Sequence, residues 1–330
     1  MIAPPAIAGL PLRVDDLVAE ELSAVEKLLA DELRSDVPCV NALVRHVGRF
    51  RGKMLRPRLL LLAGKAVGSL TEAHVVLATV VEMVHLATLV HDDVLDEAEL
   101  RRRSTTINHL RGNEAAVLLG DYLISHSYHL CSSLDSQWAS RLIARTTNRV
   151  CEGELLQIDS RNRWDLSEAT YLQIISAKTA SLCAACCELG ARFAGASDEV
   201  VARLATFGQA LGMAFQIQDD ILDLEGDVRV AGKSLGTDIE KGKLTLPLIH
   251  FARYAPREHQ ALLRSLLESG EADKVERVRQ LVLPTASMQY ARNRARGLAR
   301  QAIAALGPLP ATEARQRLEA MADFAVARAA

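Results

Sequence analysis

Long segments with helical periodicity cover most of this 330-residue chain. Within each segment apolar residues recur at intervals of three and four positions, which places them on one face of an α-helix. Alanine and leucine, which favour helix, are frequent in these segments. The pattern predicts long helices over residues 14–33, 71–96, 114–134, 136–159, 167–193 and 198–224, with Thr71 as the N-cap of the second.

The composition disfavours an all-β fold. Aromatic residues make up only 4% of the chain, and 19 glycines and 10 prolines are few for a sandwich or barrel, which needs many turns. The sequence also lacks a linker or low-complexity tract that would mark a domain boundary. We therefore expect one large all-α domain over residues 1–330, with residues 1–13 as a flexible N-terminal segment.

Charge and apolar patterning restrict the partners and the compartment. The 39 basic and 41 acidic residues give a net charge of -2, which argues against nucleic-acid binding. The N-terminus has no basic start and is broken by Pro4 and Pro5, unlike a signal peptide. The most apolar stretch, 74–90, is interrupted by Glu82 and His85, which favours a buried helix over a membrane span. A cytoplasmic location is expected.

A first acidic motif, Asp92-Asp93-Val94-Leu95-Asp96, ends the long helix predicted over 71–96. On a helix Asp92 and Asp96 lie within about 40° of each other, and His85 lies about 20° from the same line. Carboxylates this close repel one another, and the negative end of the helix dipole opposes them further. A bound cation explains this arrangement better than helix stability does.

A second motif of the same form, Asp219-Asp220-Ile221-Leu222-Asp223, ends the helix predicted over 198–224. Gln216 lies one turn earlier, about 20° from Asp223 around the helix. Two such clusters suggest hard oxygen ligands that face each other across a gap. Mg²⁺ typically takes one or two carboxylates together with water and substrate phosphates. The alternative is that both motifs are solvated, acidic helix ends.

Basic residues accompany both motifs. Arg101 and Arg102 follow the first motif, Lys233 and Lys243 follow the second, and Lys53 and Arg56 precede an apolar helix. Arginine suits bidentate phosphate contacts, whereas lysine supplies a compact charge. Lys178 stands out because it lies in an apolar segment next to Thr179, and a buried ammonium group needs an anion. The alternative for most of these residues is an ordinary surface position.

These residues give the chain a resemblance to the trans-prenyltransferases of the polyprenyl diphosphate synthase family, from about Leu22 to the C-terminus. The resemblance rests on GKMLRP (52–57), EMVHLATLVHDDVLDEAELRR (82–102), GEL-x-Q (153–157), Lys178-Thr179, FQIQDDILD (215–223) and GKSLGTDIEKGKLTLP (232–247). It implies an all-α bundle around a deep central cavity, which agrees with the periodicity. It also implies a homodimer that condenses isopentenyl diphosphate onto an allylic diphosphate.

The resemblance assigns roles to individual residues. It implies that about three Mg²⁺ ions are held by Asp92, Asp96, Asp219 and Asp223. It implies contacts to the allylic diphosphate from Arg101, Lys178, Thr179, Gln216, Lys233 and Lys243, and contacts to isopentenyl diphosphate from Lys53, Arg56, His85 and Arg102. Of these residues, Asp92, Asp96, Lys178 and Asp219 are implied to be catalytic. The C–O bond of a geranyl, farnesyl or geranylgeranyl primer ionises, and no protein nucleophile is required.

The residues before the first motif bear on product length. In the family, bulky aromatic residues at the fourth and fifth positions before this motif stop chain growth early. Here those positions are Thr88 and Ala87, which are both small. The resemblance therefore implies a medium or long all-trans product of about C30 to C50, which would leave through at most peripheral membrane contact.

Three alternatives remain from the sequence. A short-chain farnesyl or geranylgeranyl diphosphate synthase would share most of the motifs. A non-catalytic subunit of a heteromeric synthase would share the fold but typically lacks the aspartate clusters. A terpene cyclase usually has a different second metal motif.

Overall fold

The structure is a computed structural model that describes residues 16–50, 52–102, 104–226 and 236–327. Helices dominate these residues, as the periodicity predicts. After a 3₁₀ turn at Asp16–Val18, the first helices are α1 (Ala19–Glu32), α2 (Pro38–Val47), α3 (Leu55–Val67), α4 (Glu72–Leu95), α5 (Ile107–Arg111), α6 (Asn113–Ser132) and α7 (Gln137–Asp159). A second 3₁₀ turn, Gly48–Phe50, lies between α2 and α3.

The second half of the chain continues in the same way. A π-helical segment, Ser176–Ala180, separates α8 (Glu168–Ile175) from α9 (Ser181–Phe193). The remaining described helices are α10 (Asp198–Glu225), α11 (Thr237–Glu240), α12 (Leu246–Tyr254), α13 (Arg257–Glu268), α14 (Lys274–Val282), α15 (Ala286–Leu306) and α16 (Glu313–Ala327). Both acidic motifs lie in the last one or two turns of long helices, the first in α4 and the second in α10.

The start of α4 confirms the predicted cap. The Thr71 side chain accepts a hydrogen bond from the backbone of His74, and the Thr71 backbone N–H donates to His74 Nδ1 at 3.0 Å. This reciprocal pair satisfies two backbone N–H groups that would otherwise lack partners at the helix start. The helix then runs without a break to Leu95, so Asp92 lies in its last turn.

The helix predicted over 167–193 differs from expectation at its centre, where the π segment contains Lys178 and Thr179. Two glycines allow the neighbouring helices α7 and α10 to approach this segment. A Cβ atom on Gly153 would lie 2.5 Å from the backbone nitrogen of Lys178, and one on Gly212 would lie 2.6 Å from Ala180 Cα. Gln209 donates its side-chain amide to the Ser176 carbonyl at 3.1 Å. Packing and this hydrogen bond stabilise a backbone irregularity that apolar periodicity does not reveal.

The segment between α4 and α6, for which the periodicity predicts no helix, is partly regular. Leu100–Arg101 and Ser104–Thr105 form a short antiparallel hairpin, and α5 follows it. The buried Thr106 side chain donates to the Ala98 carbonyl at 2.5 Å, which ties the base of the hairpin to the start of α5. The prediction missed α5 because five residues are too few to show a helical period.

Two apolar cores lie side by side, and α10 contributes to both. Phe207 and Leu211 of α10 belong to a larger core formed mainly by α1, α3, α4, α6 and α9. Ile217 and Ile221, further along α10, belong to a second core with α8 and α12–α15. The C-terminal end of α10, which bears the second acidic motif, is therefore anchored in the second core, while α4 is anchored in the first.

In the part of the chain that the structure describes, three helical runs are long and apolar enough to cross a membrane by length and composition: α4, the run from α8 through α9, and α10. Inside this structure 72% of the most apolar window of α4 is buried. The predicted buried helix over 74–90 matches this placement, because contacts with neighbouring helices account for its apolar side chains.

Candidate active site

Asp92 faces a lysine from a distant part of the chain. Its carboxylate lies 3.8 Å from Lys178 Nζ, and Lys178 also forms an ion pair with Glu154 of α7. Burial raises the pKa of Asp92; Lys178 opposes this shift, whereas Glu154 and Asp96 reinforce it. The π segment thus places the Lys178 ammonium group between two acidic side chains, as the apolar surroundings of Lys178 suggested.

Asp96 is surrounded by three cations. Lys243 Nζ lies 3.0 Å from its carboxylate, Lys241 Nζ lies 3.3 Å away and Arg161 Nη2 lies 3.7 Å away. Burial alone would raise the pKa of Asp96, but Lys243 and Lys241 outweigh it and hold this pKa below its ordinary value. Lys243 was predicted as a contact of the allylic diphosphate rather than of Asp96. Lys241 and Arg161 were not predicted, although the short spacing of Lys241 and Lys243 offered a signal.

The second aspartate of the first motif has a different environment. Asp93 is 1% exposed, and Arg101 Nε donates to it at 2.8 Å. Burial raises the pKa of Asp93, and the charge of Arg101 opposes that shift. Arg101 was predicted to contact the allylic diphosphate; in this structure it joins the hairpin to the end of α4. The structure therefore gives Arg101 a partner that the sequence pattern did not indicate.

The second motif joins a chain of hydrogen bonds. Tyr171 donates its hydroxyl to Asp220 at 2.6 Å, and the Gln216 side-chain amide donates to the same carboxylate at 2.9 Å. Thr179 in turn donates its hydroxyl to Gln216 Oε1 at 2.9 Å. Burial raises the pKa of Asp220 well above the ordinary carboxyl value, and Asp238 adds to this effect. Thr179 and Gln216, both predicted, are brought together; Tyr171 and Asp220 were not predicted.

The other aspartates of the second motif occupy different positions. Asp223 is buried and accepts hydrogen bonds from the Thr237 hydroxyl at 3.0 Å and the Asp238 backbone N–H at 3.3 Å. It therefore fixes the start of α11, in addition to the metal contact predicted for it. Asp219 is half-buried. Lys233, the remaining predicted cation after this motif, lies outside the described residues.

Arg56 and Arg102, two of the residues predicted to bind isopentenyl diphosphate, lie near His85, about two turns before Asp92 on α4. Burial holds the pKa of His85 well below its ordinary value, and the positive charges of Arg56 and Arg102 lower it further. Arg102 donates to the Phe50 carbonyl, and a Cβ atom on Gly52 would overlap the Arg102 guanidinium group. Lys53 is exposed beside them. A neutral imidazole between two guanidinium groups is suited to an anionic ligand.

The donor set fits a divalent ion that also binds a phosphate. Among the residues that the structure describes, no group of three or more histidine, cysteine, aspartate or glutamate side chains is arranged to hold a metal by itself. Mg²⁺ often takes only one or two carboxylates and completes its shell with water and substrate phosphate. The carboxylates of Asp92 and Asp96, which repel each other, meet this requirement.

The residues predicted to set product length lie on α4, directly before the first motif. Thr88 is half-buried, and its hydroxyl donates to the His85 carbonyl at 2.8 Å. Its polar atom is therefore satisfied within the helix. Ala87 is fully buried. Neither residue places a large side chain beside Asp92.

A cavity of about 120 Å³ lies between α7, α8, α10 and the segment after α11. Its lining includes Lys178, Thr179 and Gln216, together with Lys243, Asp220 and Tyr171. The predicted allylic-diphosphate residues that the structure describes therefore border one space, except for Arg101, which the structure pairs with Asp93.

Comparisons with known proteins agree with this geometry. The family model described as Polyprenyl synthetase matches residues 37–283. Octaprenyl diphosphate synthase from Escherichia coli K12 is 36% identical over 317 residues, which cover 96% of this chain and 98% of that protein.

Two solved structures have the same fold. The decaprenyl diphosphate synthase of Rhodobacter capsulatus superposes with a TM-score of 0.90 at 35% identity, covering 95% of this chain and 98% of that one. A polyprenyl synthase from Caulobacter crescentus, complexed with calcium and isoprenyl diphosphate, gives a TM-score of 0.90 at 37% identity, covering 99% and 100%. The chain therefore belongs to the polyprenyl synthetase family of prenyltransferases.

Proposed function

We propose that this enzyme adds isopentenyl diphosphate units to an allylic diphosphate and makes an all-trans polyprenyl diphosphate of about C30 to C50. The observation that carries the proposal is the pairing at the first motif. The aspartates predicted to bind metal contact the cations predicted to bind diphosphate: Asp92 with Lys178, and Asp96 with Lys243. In this structure the aspartate and lysine charges neutralise each other. A metal diphosphate could replace these pairs, with the metal bound to the aspartates and the diphosphate bound to the lysines.

The chemistry requires charge stabilisation rather than a protein nucleophile. Magnesium held by Asp92, Asp96 and Asp219, with Asp223 as a further ligand, would supply positive charge to the departing diphosphate. Lys178 and Lys243 add cationic hydrogen-bond donors on the same side. The allylic C–O bond breaks with its electron pair on the diphosphate, the double bond of isopentenyl diphosphate attacks the allylic carbon, and a proton passes to the released pyrophosphate. The apolar part of the cavity lining, Leu166, Ile174, Ile175 and Leu244, would help to keep water from the cation.

Isopentenyl diphosphate is proposed to bind at Lys53, Arg56, His85 and Arg102. The low pKa of His85 keeps its imidazole neutral near pH 7, so it can donate a hydrogen bond without adding to the charge of the two neighbouring arginines. Arg56 and Arg102 then provide the fixed positive charge.

The long product is supported by small side chains and by named relatives. Ala87 and Thr88 leave the region below Asp92 free of bulky aromatic groups. Similar proteins are named octaprenyl, nonaprenyl and decaprenyl diphosphate synthases. The short-chain alternative is therefore not favoured. Both aspartate clusters also argue against a non-catalytic subunit.

The direct test is product analysis of the purified chain with isopentenyl diphosphate and geranyl, farnesyl or geranylgeranyl diphosphate. We expect pyrophosphate release that requires Mg²⁺ and stops on chelation, with products of C30 or longer by chromatography. Products that end at C15 or C20 would contradict the long-chain proposal. Absence of pyrophosphate release with every primer would contradict the enzymatic proposal itself.

A homodimer is proposed from exposed apolar residues on α5, α6 and α7, of which α6 contacts the other two. Leu110 of α5, Val117 and Leu118 of α6 and Leu155 of α7 are all exposed, and Leu118 reaches 68%. Such residues favour a protein contact. Light scattering should give twice the chain mass, and Leu118→Glu should shift the measured mass toward that of the monomer.

We also propose a cytoplasmic location with at most peripheral membrane contact, which suits the six free cysteines.

A further inference from the structure

The hydrogen-bond chain behind Thr179 contains a residue to which neither the sequence motifs nor the proposed mechanism gives a role. Tyr171 of α8 is 3% exposed and donates to Asp220 Oδ2. The other oxygen of Asp220 accepts from the Gln216 amide. Gln216 Oε1 then accepts from the Thr179 hydroxyl. A continuous path of three hydrogen bonds of 2.6 to 2.9 Å therefore joins Tyr171 to Thr179.

The hydrogen bonds of this path fix the orientation of the Gln216 side-chain amide, which could otherwise rotate by 180°. A glutamine side chain presents a donor NH₂ at one corner and an acceptor oxygen at the other. Because the Asp220 carboxylate is an acceptor, it selects the NH₂ corner of Gln216 and leaves Oε1 toward Thr179. Asp220 needs a second donor for its other oxygen, since a buried acceptor without a partner is costly. Tyr171 is that donor.

All four side chains of this path line the cavity that Lys178 and Lys243 also border. A change at the Tyr171 end would therefore reach the cavity that the proposed allylic-diphosphate residues border. The residues proposed to bind isopentenyl diphosphate, by contrast, lie on α3 and just before it, on α4 and in the hairpin, and no described hydrogen bond joins them to this path.

We propose that Tyr171 is a positioning residue for the allylic half of the reaction: through Asp220 it orients the amide of Gln216, and through Gln216 it orients the hydroxyl of Thr179. This inference rests on the proposed condensation activity and extends it to a residue outside both acidic motifs. Tyr171 acts through its hydroxyl, since its ring packs in the second core and Phe would preserve that packing.

The test compares Tyr171→Phe with the matched control Tyr290→Phe. Tyr290 also donates to a carboxylate at 2.6 Å, Glu168, but it does not line the cavity. In steady-state condensation of farnesyl diphosphate with isopentenyl diphosphate, Tyr171→Phe should lower kcat roughly tenfold or more. The KM for isopentenyl diphosphate should stay unchanged, and Tyr290→Phe should match the wild type.

Two further measurements separate positioning from a general loss of stability. Incorporation of 3-fluorotyrosine at position 171 keeps the ring and the donor, so kcat should stay near the wild-type value. Adding Tyr171→Phe to Gln216→Ala should lower kcat little further, because both changes act through one amide.

Two results would overturn the inference: wild-type kcat in Tyr171→Phe, or effects of Tyr171→Phe and Gln216→Ala that multiply. Failure of the wild-type protein to condense the two substrates at all would instead refute the proposed function.

Discussion

The two acidic motifs have the same spacing but differ in the groups that contact their aspartates. In the first, Asp92 and Asp96 are partly exposed and pair with charged groups brought from other helices and loops. In the second, Asp220 and Asp223 are buried and accept hydrogen bonds from a phenol, an amide, a hydroxyl and a backbone N–H. Ion pairs at a partly solvated site exchange partners readily, whereas buried hydrogen bonds hold a fixed geometry.

The motifs also share one rule. The second aspartate of each, Asp93 and Asp220, is buried, and burial raises its pKa. Each is held by one donor from a neighbouring element, Arg101 or Tyr171. These inner aspartates fix the ends of α4 and α10, and metal binding is proposed only for the other aspartates of each motif. Identical letters in a motif therefore do not imply identical roles.

The largest expected effect concerns the first aspartate of the first motif. Asp92→Asn should lower the condensation rate by roughly a thousandfold, because it removes one charge proposed to hold metal at the developing diphosphate charge. Asp219→Asn should have a similar effect. The rate is measured as pyrophosphate release at saturating substrates and magnesium.

The matched control for these variants is Asp121→Asn on α6, whose side chain is 65% exposed. This control should retain wild-type turnover. Near-normal turnover of folded Asp92→Asn would remove metal binding at the first motif from the mechanism.

The second-largest expected effect is on product length, because the residues that precede the acidic motif differ between α4 and α10. Ala87 and Thr88 lie five and four positions before Asp92, while the same positions before Asp219 hold Ala214 and Phe215. Ala87→Phe and Thr88→Phe should shorten the product, because each places an aromatic ring at a position where the family resemblance implies that chain growth stops. Phe215→Ala should not lengthen it. Chromatography of the dephosphorylated products measures both; a longer product from Phe215→Ala would place the growing chain along α10 instead.

Sequence alone predicted the six long helical segments, the cap at Thr71 and four of the residues that border the cavity: Lys178, Thr179, Gln216 and Lys243. It missed the π segment, because three- and four-residue apolar spacing continues through Lys178 while the backbone gains one residue per turn. It also missed Tyr171 and Arg161, which are distant in sequence from both motifs and reach the site only through tertiary packing. Asp223 shows a third reason: its spacing marks it as acidic, but only the fold shows that it caps α11.

The third effect is on stability and compares the last aspartate of each motif. Asp223→Ala should lower the free energy of unfolding by about 1 to 3 kcal/mol, since it leaves the Thr237 hydroxyl and the Asp238 N–H without their acceptor. Asp96→Ala should cost less than about 1 kcal/mol, because its ion pairs are partly solvated. Urea denaturation without ligands measures both. An equal loss in the two variants would contradict the contrast between buried and exchangeable contacts.

The smallest effect is a pH dependence of opposite sign within the first motif. The pKa of Asp92 is raised above the model-compound value of 3.8, so its ionised form destabilises the fold at neutral pH. That penalty fades as the pH falls through the raised pKa and is gone below 3.8. Asp92→Asn should therefore gain melting temperature over the wild type at pH 7, and the gain should shrink toward pH 4.

Asp96 provides the internal control for this pH dependence. Its pKa is lowered, so its ionised form stabilises the fold above 3.8, and that contribution is lost as the pH falls through the lowered pKa. Asp96→Asn should therefore lose melting temperature at pH 7. Scanning calorimetry of both variants at several pH values between 4 and 7 checks the pair of signs. A gain in both variants at pH 7 would mean that Lys241 and Lys243 do not stabilise Asp96, and that the two ends of the first motif are electrostatically alike.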